Sequence, residues 1–128
     1  MRHAPVHLAC AVLYGMTSPV HAGDAARGER VFQYCYSCHS IVPGETNLQG
    51  PNLAGIVGRP IAAQDGFDYS PAMRRFAARE RVWSQELLDR FTAEPEAVVP
   101  KTSMQFHGID DAAERADLIA YMRSIPSP

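Results

Sequence analysis

Cys35 and Cys38 stand three residues apart, and His39 follows the second directly. Cys10, the third cysteine, sits in an apolar stretch near the N-terminus. No other feature of the 128 residues limits the fold as strongly as this spacing. Two cysteines so close together cannot close a loop long enough to staple a domain. A single domain of this length has only a modest core of its own. The pair must therefore contribute to the core by some route other than a disulfide.

Composition narrows the classes. Hydrophobic residues make up 46% of the chain and charged residues 20%, with a formal net charge of −2, values ordinary for a soluble globular domain. No apolar run reaches the ~18 residues of a membrane-spanning helix, so stable membrane insertion is not expected. No block of like charge marks a nucleic-acid arm. The first residues read differently from the rest. Arg2 and His3 supply a positive start, and the stretch from Val6 to Met16 is apolar apart from His7 and Gly15. Pro19-Val20-His21-Ala22 then places compact residues at the −3 and −1 positions of a cleavage site. Residues 1–22 are expected to be a cleaved signal peptide and 23–128 an exported, periplasmic domain. A frayed N-terminal helix competes with this. A lipid anchor on Cys10 fits less well, because His7-Leu8-Ala9 does not resemble a lipobox.

Cys35-Tyr36-Ser37-Cys38-His39 has the C-x-x-C-H form of a c-type haem attachment site. Thiols at this spacing can form thioethers with the two vinyl groups on one side of a porphyrin, and the adjacent imidazole then lies beneath the iron. A thioredoxin-like redox pair would sit in a βαβ setting, and no strand–helix–strand pattern follows. A zinc site needs four ligands, whereas residues 23–128 offer two Cys and two His, and Cys38 beside His39 is poor geometry for a shared metal. One haem c, covalently held by Cys35 and Cys38 and ligated by His39, is the expectation. For the sixth position the candidates are Met73, Met104, Met122, His107 and Lys101. Met122 falls on the apolar face of the last helix, where methionine is usually packing, and Met73 lies near a helix start. Met104 sits in Pro100-Lys101-Thr102-Ser103-Met104-Gln105-Phe106, which has no helical period; His107 is the runner-up.

Several pieces, in order along the chain, resemble the class I cytochromes c of the bacterial, mitochondrial-like type. They are Gly28-Glu29-Arg30-Val31-Phe32, the attachment motif, Gly50-Pro51-Asn52-Leu53-Ala54-Gly55-Ile56-Val57-Gly58-Arg59, Tyr69-Ser70-Pro71-Ala72-Met73, Trp83, the Met104 segment and Ala116-Asp117-Leu118-Ile119-Ala120-Tyr121-Met122. The resemblance implies an all-α fold of about four short helices, with long loops wrapped around one covalent haem. It makes Met104 the distal ligand and has the Pro51 carbonyl fix the His39 ring. It also implies that Tyr69 and Trp83 donate hydrogen bonds to a haem propionate, that Arg59 offsets its charge, and that Thr102 ties the distal loop to a propionate. Simple core packing is the competing account of Tyr69 and Trp83. Phe91 departs from the pattern. Many members of the family have a tyrosine there whose hydroxyl reaches the methionine sulfur, a bond phenylalanine cannot make.

Four helices can be read from local chemistry. The first runs from about Asp24 to the attachment motif. The second, from Ser70 as N-cap with Pro71 at its first position, extends to about Ala78. The third follows Ser84, with Trp83 placed to staple onto Leu88, and ends at Pro95. The last starts near Asp110, carries Leu118, Tyr121, Met122 and Ile125 on one face, and stops at Pro126. Residues 40–69 and 95–109 read as loop, and Gly28 is expected to let the first and last helices approach closely at Tyr121.

With both axial positions filled by protein, no site remains for oxygen or substrate, so the expectation is an electron carrier and not an enzyme. A haem subunit dedicated to one periplasmic dehydrogenase or oxidase is the alternative, and a gas-binding or peroxidase-like protein a lesser one. The expected partners are a redox donor and acceptor, met by a monomer. Lys101 is the one lysine in the chain, and Arg74, Arg75, Arg79 and Arg81 form a local basic cluster. That cluster reads as solvated surface. A largely apolar contact including Gln105, with weak steering by charge, is expected instead.

Overall fold

A computed structural model describes residues 22–127. Residues 1–21, which hold Cys10 and nearly all of the expected signal peptide, lie outside the described residues. Among the described residues there are five α-helices: α1 (Ala25–Val31), α2 (Pro71–Ala77), α3 (Gln85–Ala93), α4 (Pro95–Val98) and α5 (Ala112–Ser124). Each of the four longer helices starts on an oxygen-bearing cap. The side chains of Asp24, Ser70, Ser84 and Asp111 accept from Arg27, Met73, Leu87 and Ala113 backbone N–H groups respectively. These bonds satisfy donors that a helix start otherwise leaves open. The additional helix, α4, is a single turn inside the segment expected to be loop. Pro95 ends α3 as anticipated, but its fixed φ also suits the first position of a new turn, which closes with Val99 N–H donating to the Pro95 carbonyl at 2.9 Å.

The crossing of α1 and α5 organises the molecule. Gly28 is buried at the contact, and a β-carbon there would collide with the Asp117 backbone carbonyl and come within 2.7 Å of the Tyr121 Cβ. The close approach expected at Tyr121 is thus present, and Asp117 lies nearer still. The Asp117 side chain is itself buried. It accepts from Asp24 N–H at 2.6 Å and from Arg27 Nε at 2.8 Å, so a carboxylate of α5 holds the first turn of α1. Phe32 meets Tyr121 edge to face, with ring centroids 5.8 Å apart.

Beneath this crossing lies the apolar core. Leu118, Ile119 and Met122 of α5 pack with Leu87, Leu88 and Phe91 of α3 and Phe76 of α2. Trp83 joins them, but its ring contacts run to Phe91 at 5.0 Å and to Phe76 at 6.1 Å. Among the described residues the extended pairing is an isolated antiparallel bridge, Pro60 with Val82. Around it Gly58 N–H donates to the Trp83 carbonyl at 2.7 Å, and Trp83 N–H donates to the Arg59 carbonyl at 2.9 Å. The bridge sets Arg59 beside Trp83, though 24 positions of chain and one helix separate them. No helix among the described residues is long and apolar enough to cross a membrane.

Candidate functional site

Between the α1–α5 crossing and the loops lies a cavity of about 270 Å³. One water takes up roughly 30 Å³ of liquid volume, so the space is too large to be a packing defect. Cys35, Cys38, His39, Pro51, Arg59, Tyr69, Trp83, Thr102 and Met104 all line it. Phe91, Leu118 and Met122 contribute to its apolar wall.

The end of α1 delivers the cysteines. A 3₁₀ turn, Phe32–Tyr34, continues the helix, and Cys38 and His39 N–H both donate to the Cys35 carbonyl, at 3.1 and 3.0 Å. The five motif residues therefore curl as one turn with both sulfurs and the imidazole on the cavity. Burial pushes the Cys35 thiol up to about 11. Redox-active cysteines have lowered values instead, which argues against a thioredoxin-like pair. Among the described residues no group of three or more His, Cys, Asp or Glu side chains is placed to hold a metal ion.

His39 is constrained from two sides. Its Nδ1 lies 2.7 Å from the Pro51 carbonyl oxygen. A carbonyl can only accept, so Nδ1 carries the proton. Burial lowers the His39 pKa, the bond to Pro51 works against this, and the positive charge of Arg59 adds to the lowering. The ring is thus neutral at physiological pH, with Nε2 unprotonated and able to act as a ligand. On the other side stands Gly50. A β-carbon there would strike the imidazole, reaching 2.6 Å from Nδ1 and 2.8 Å from Nε2. This role was not visible in the sequence, because the ring it clears lies eleven residues upstream.

The side of the cavity formed by the bridge collects polar groups. The Arg59 guanidinium donates to the Ala54 carbonyl at 3.2 Å, while its buried Nε has no partner. Burial lowers the Arg59 pKa, opposed by Tyr69. The Tyr69 hydroxyl oxygen accepts from Gln64 N–H at 3.1 Å, which leaves the hydroxyl proton free to be donated. Trp83 is buried on the same wall.

The segment after α4 also lines the cavity. Lys101 adopts a left-handed backbone, φ 63°, and Thr102 is buried. The Thr102 hydroxyl oxygen accepts from Met104 N–H at 3.2 Å, anchoring the methionine it precedes. This bond was also missed, the expected role of Thr102 being directed only at the cofactor. Of the five sixth-ligand candidates, Met73, Met104 and Met122 line the cavity; Lys101 and His107 are exposed and do not.

These features suit a c-type haem. Two unpaired thiols and a neutral imidazole share one turn, thioethers line the same largely apolar cavity, and a buried guanidinium N–H lacks an acceptor that a propionate would provide. Comparison with known proteins gives the same answer. The family model for cytochrome c matches residues 25–126. Cytochrome c2 of Blastochloris viridis is 40% identical over 112 residues, covering 88% of this chain and 86% of that protein. The structure of cytochrome cH from Methylobacterium extorquens superposes with a TM-score of 0.72 at 37% identity, covering 80% of this chain and 99% of that one. For cytochrome c2 from Rhodospirillum centenum the TM-score is 0.75 at 32% identity, with 83% and 100% covered. With family model, relatives and folds in agreement over nearly the whole described length, this chain belongs to the class I cytochromes c of bacterial type, electron-transfer proteins that carry covalent haem c.

Proposed function

We propose that the chain is a periplasmic carrier of single electrons, with one haem c held by thioethers from Cys35 and Cys38 and ligated by His39 and Met104. The observation that carries this reading is the 2.7 Å bond between His39 Nδ1 and the Pro51 carbonyl, made on a cavity that Met104 also lines. When bound, the haem supplies a one-electron ferrous–ferric couple.

The protein's part is to bind, orient and exclude. Pro51 holds the His39 tautomer and ring angle, and so raises its basicity as a ligand. Met104 is favoured over the other two thioethers on its surroundings. Met122 is only 3% exposed within the packed face of α5, and Met73 belongs to the regular helix α2. Met104 lies outside any helix, half-buried, on a segment fixed by Thr102. Arg59, Tyr69 and Trp83, which line the cavity, would pair with a propionate that is otherwise costly to bury, and Thr102 would hold the distal segment near one. The apolar wall keeps water from the ligands and, with a thioether ligand, favours the reduced state.

Were His39 and Met104 both to hold the iron, no open site would be left for a substrate, which is the case for a carrier over an enzyme. Export follows from residues 1–22, and the N-terminus of the periplasmic protein should begin at Gly23. As a monomer it would meet its redox partners through the cavity mouth, where Tyr34 and Gln105 are exposed. The arginines of the basic cluster are exposed too, and Arg74 is already paired with Asp68 at 2.5 Å, so charge steering is expected to be weak. The test is addition of carbon monoxide to the reduced holoprotein. An unchanged spectrum is expected; immediate conversion to a carbonyl spectrum would mean an open position and would contradict the carrier reading.

A further inference from the structure

The peptide group that accepts from His39 is held at its other end as well. Its oxygen, on Pro51, lies 2.7 Å from His39 Nδ1. Its nitrogen, on Asn52, donates to the Gln64 side-chain oxygen at 2.6 Å. Because the peptide is planar, these are the two ends of one rigid dipole. The donor is a backbone N–H, so the Gln64 atom facing it must be Oε1, which removes the usual ambiguity of an amide side chain. Asn52 is buried and cannot relax: its Nδ2 donates to the Val42 and Glu45 carbonyls at 2.7 and 2.8 Å, and its Oδ1 accepts from Ala54 N–H at 2.7 Å. Gln64 also meets Tyr69, since its own backbone N–H donates to the Tyr69 hydroxyl at 3.1 Å.

From this arrangement we propose that Gln64 is a positioning residue for the proximal ligand, acting through the Pro51–Asn52 peptide and joining the His39 side of the cavity to the Tyr69 side. An acceptor on the peptide N–H polarises the group and makes its carbonyl a better acceptor, as successive hydrogen bonds reinforce one another. Gln64 therefore strengthens the bond to His39 Nδ1–H and increases the electron density the imidazole offers the metal. A more basic ligand stabilises the ferric state, so Gln64 holds the reduction potential down. The inference rests on His39 being the proximal ligand of a bound haem.

The test uses the holoprotein with Gln64→Leu, which keeps the bulk and removes the acceptor. Two quantities are read: the reduction potential, and the exchange rate of the His39 Nδ1 proton by NMR. The potential should rise, and exchange should quicken by about tenfold, the equivalent of one ordinary hydrogen bond. Gln64→Asn, which keeps the amide but is one methylene too short to reach, carries the same expectation should the leucine variant fail to accumulate. Asp117→Asn serves as a control that weakens the α1–α5 crossing, where Asp117 bonds to Asp24 and Arg27 and not to this peptide, and both readouts should keep their parent values. Unchanged readouts in the Gln64 variants would overturn the proposal, as would equal shifts in the Asp117 control. A parent holoprotein with no iron-bound His39 signals would overturn the assignment of the ligand itself, a different result from either.

Discussion

The α1–α5 crossing and the wall of the cavity are built on different terms. At the crossing protein groups meet one another: Gly28 lies against a backbone carbonyl, and Asp117 accepts from the Asp24 N–H and from two nitrogens of the Arg27 guanidinium. Along the cavity, polar groups face inward and stop short, as Arg59 Nε has no partner and the Tyr69 hydroxyl proton has none assigned. The first region is complete as a polypeptide. The second is completed only by what it binds, and its loops can be long because they are spread over a ligand and not over one another. Substitutions at the crossing should therefore change stability and leave the redox properties alone, whereas those at the wall should change the redox properties at a smaller cost in stability.

The largest effect is expected from Gly28→Ala, whose methyl meets backbone that cannot step aside. A loss of about 3 kcal/mol or more is anticipated in denaturant unfolding of the holoprotein, with the potential unchanged in whatever fraction folds. Asp117→Asn should cost about 2 kcal/mol, because a bond to a charged partner is weakened without creating a void; chemical denaturation measures this too. Gly50→Ala sharpens the contrast. Its stability loss should be smaller, about 1 kcal/mol, because an imidazole can tilt where a backbone cannot, yet it should shift the potential by displacing His39. If Gly28→Ala moves the potential and Gly50→Ala does not, the division between the two regions fails. Phe91→Tyr is the mildest, with a stability change under ~1 kcal/mol. Phe91 is buried on the cavity wall, and the added hydroxyl should alter the potential or the exchange of the methionine ligand; a variant matching the parent in both would remove Phe91 from the account.

Much of this was legible because its causes are local. Ser70 and Ser84 cap helices through oxygens three residues from the N–H they serve, and the C-x-x-C-H turn is contained in five positions. Gly28 could be placed from the family resemblance, although Asp117, and not only Tyr121, turned out to be what it abuts. The turn Pro95–Val98 was missed because four residues show no period. The bridge between Pro60 and Val82 was missed for another reason: one pairing leaves no alternation in either strand. That bridge is what seats Arg59 beside Trp83. Gly50, Gln64 and the bond from Thr102 to Met104 act on partners set by the tertiary path of the loops, and no spacing along the chain announces them.

The central claim is that Met104 completes the coordination begun by His39, and the ferric absorption spectrum tests it most directly. A weak long-wavelength band from sulfur bound to iron should be present in the parent, retained in Met73→Leu and Met122→Leu, and absent in Met104→Ala. A band that survives in Met104→Ala, or vanishes in either of the other two variants while the protein stays folded, would contradict the account.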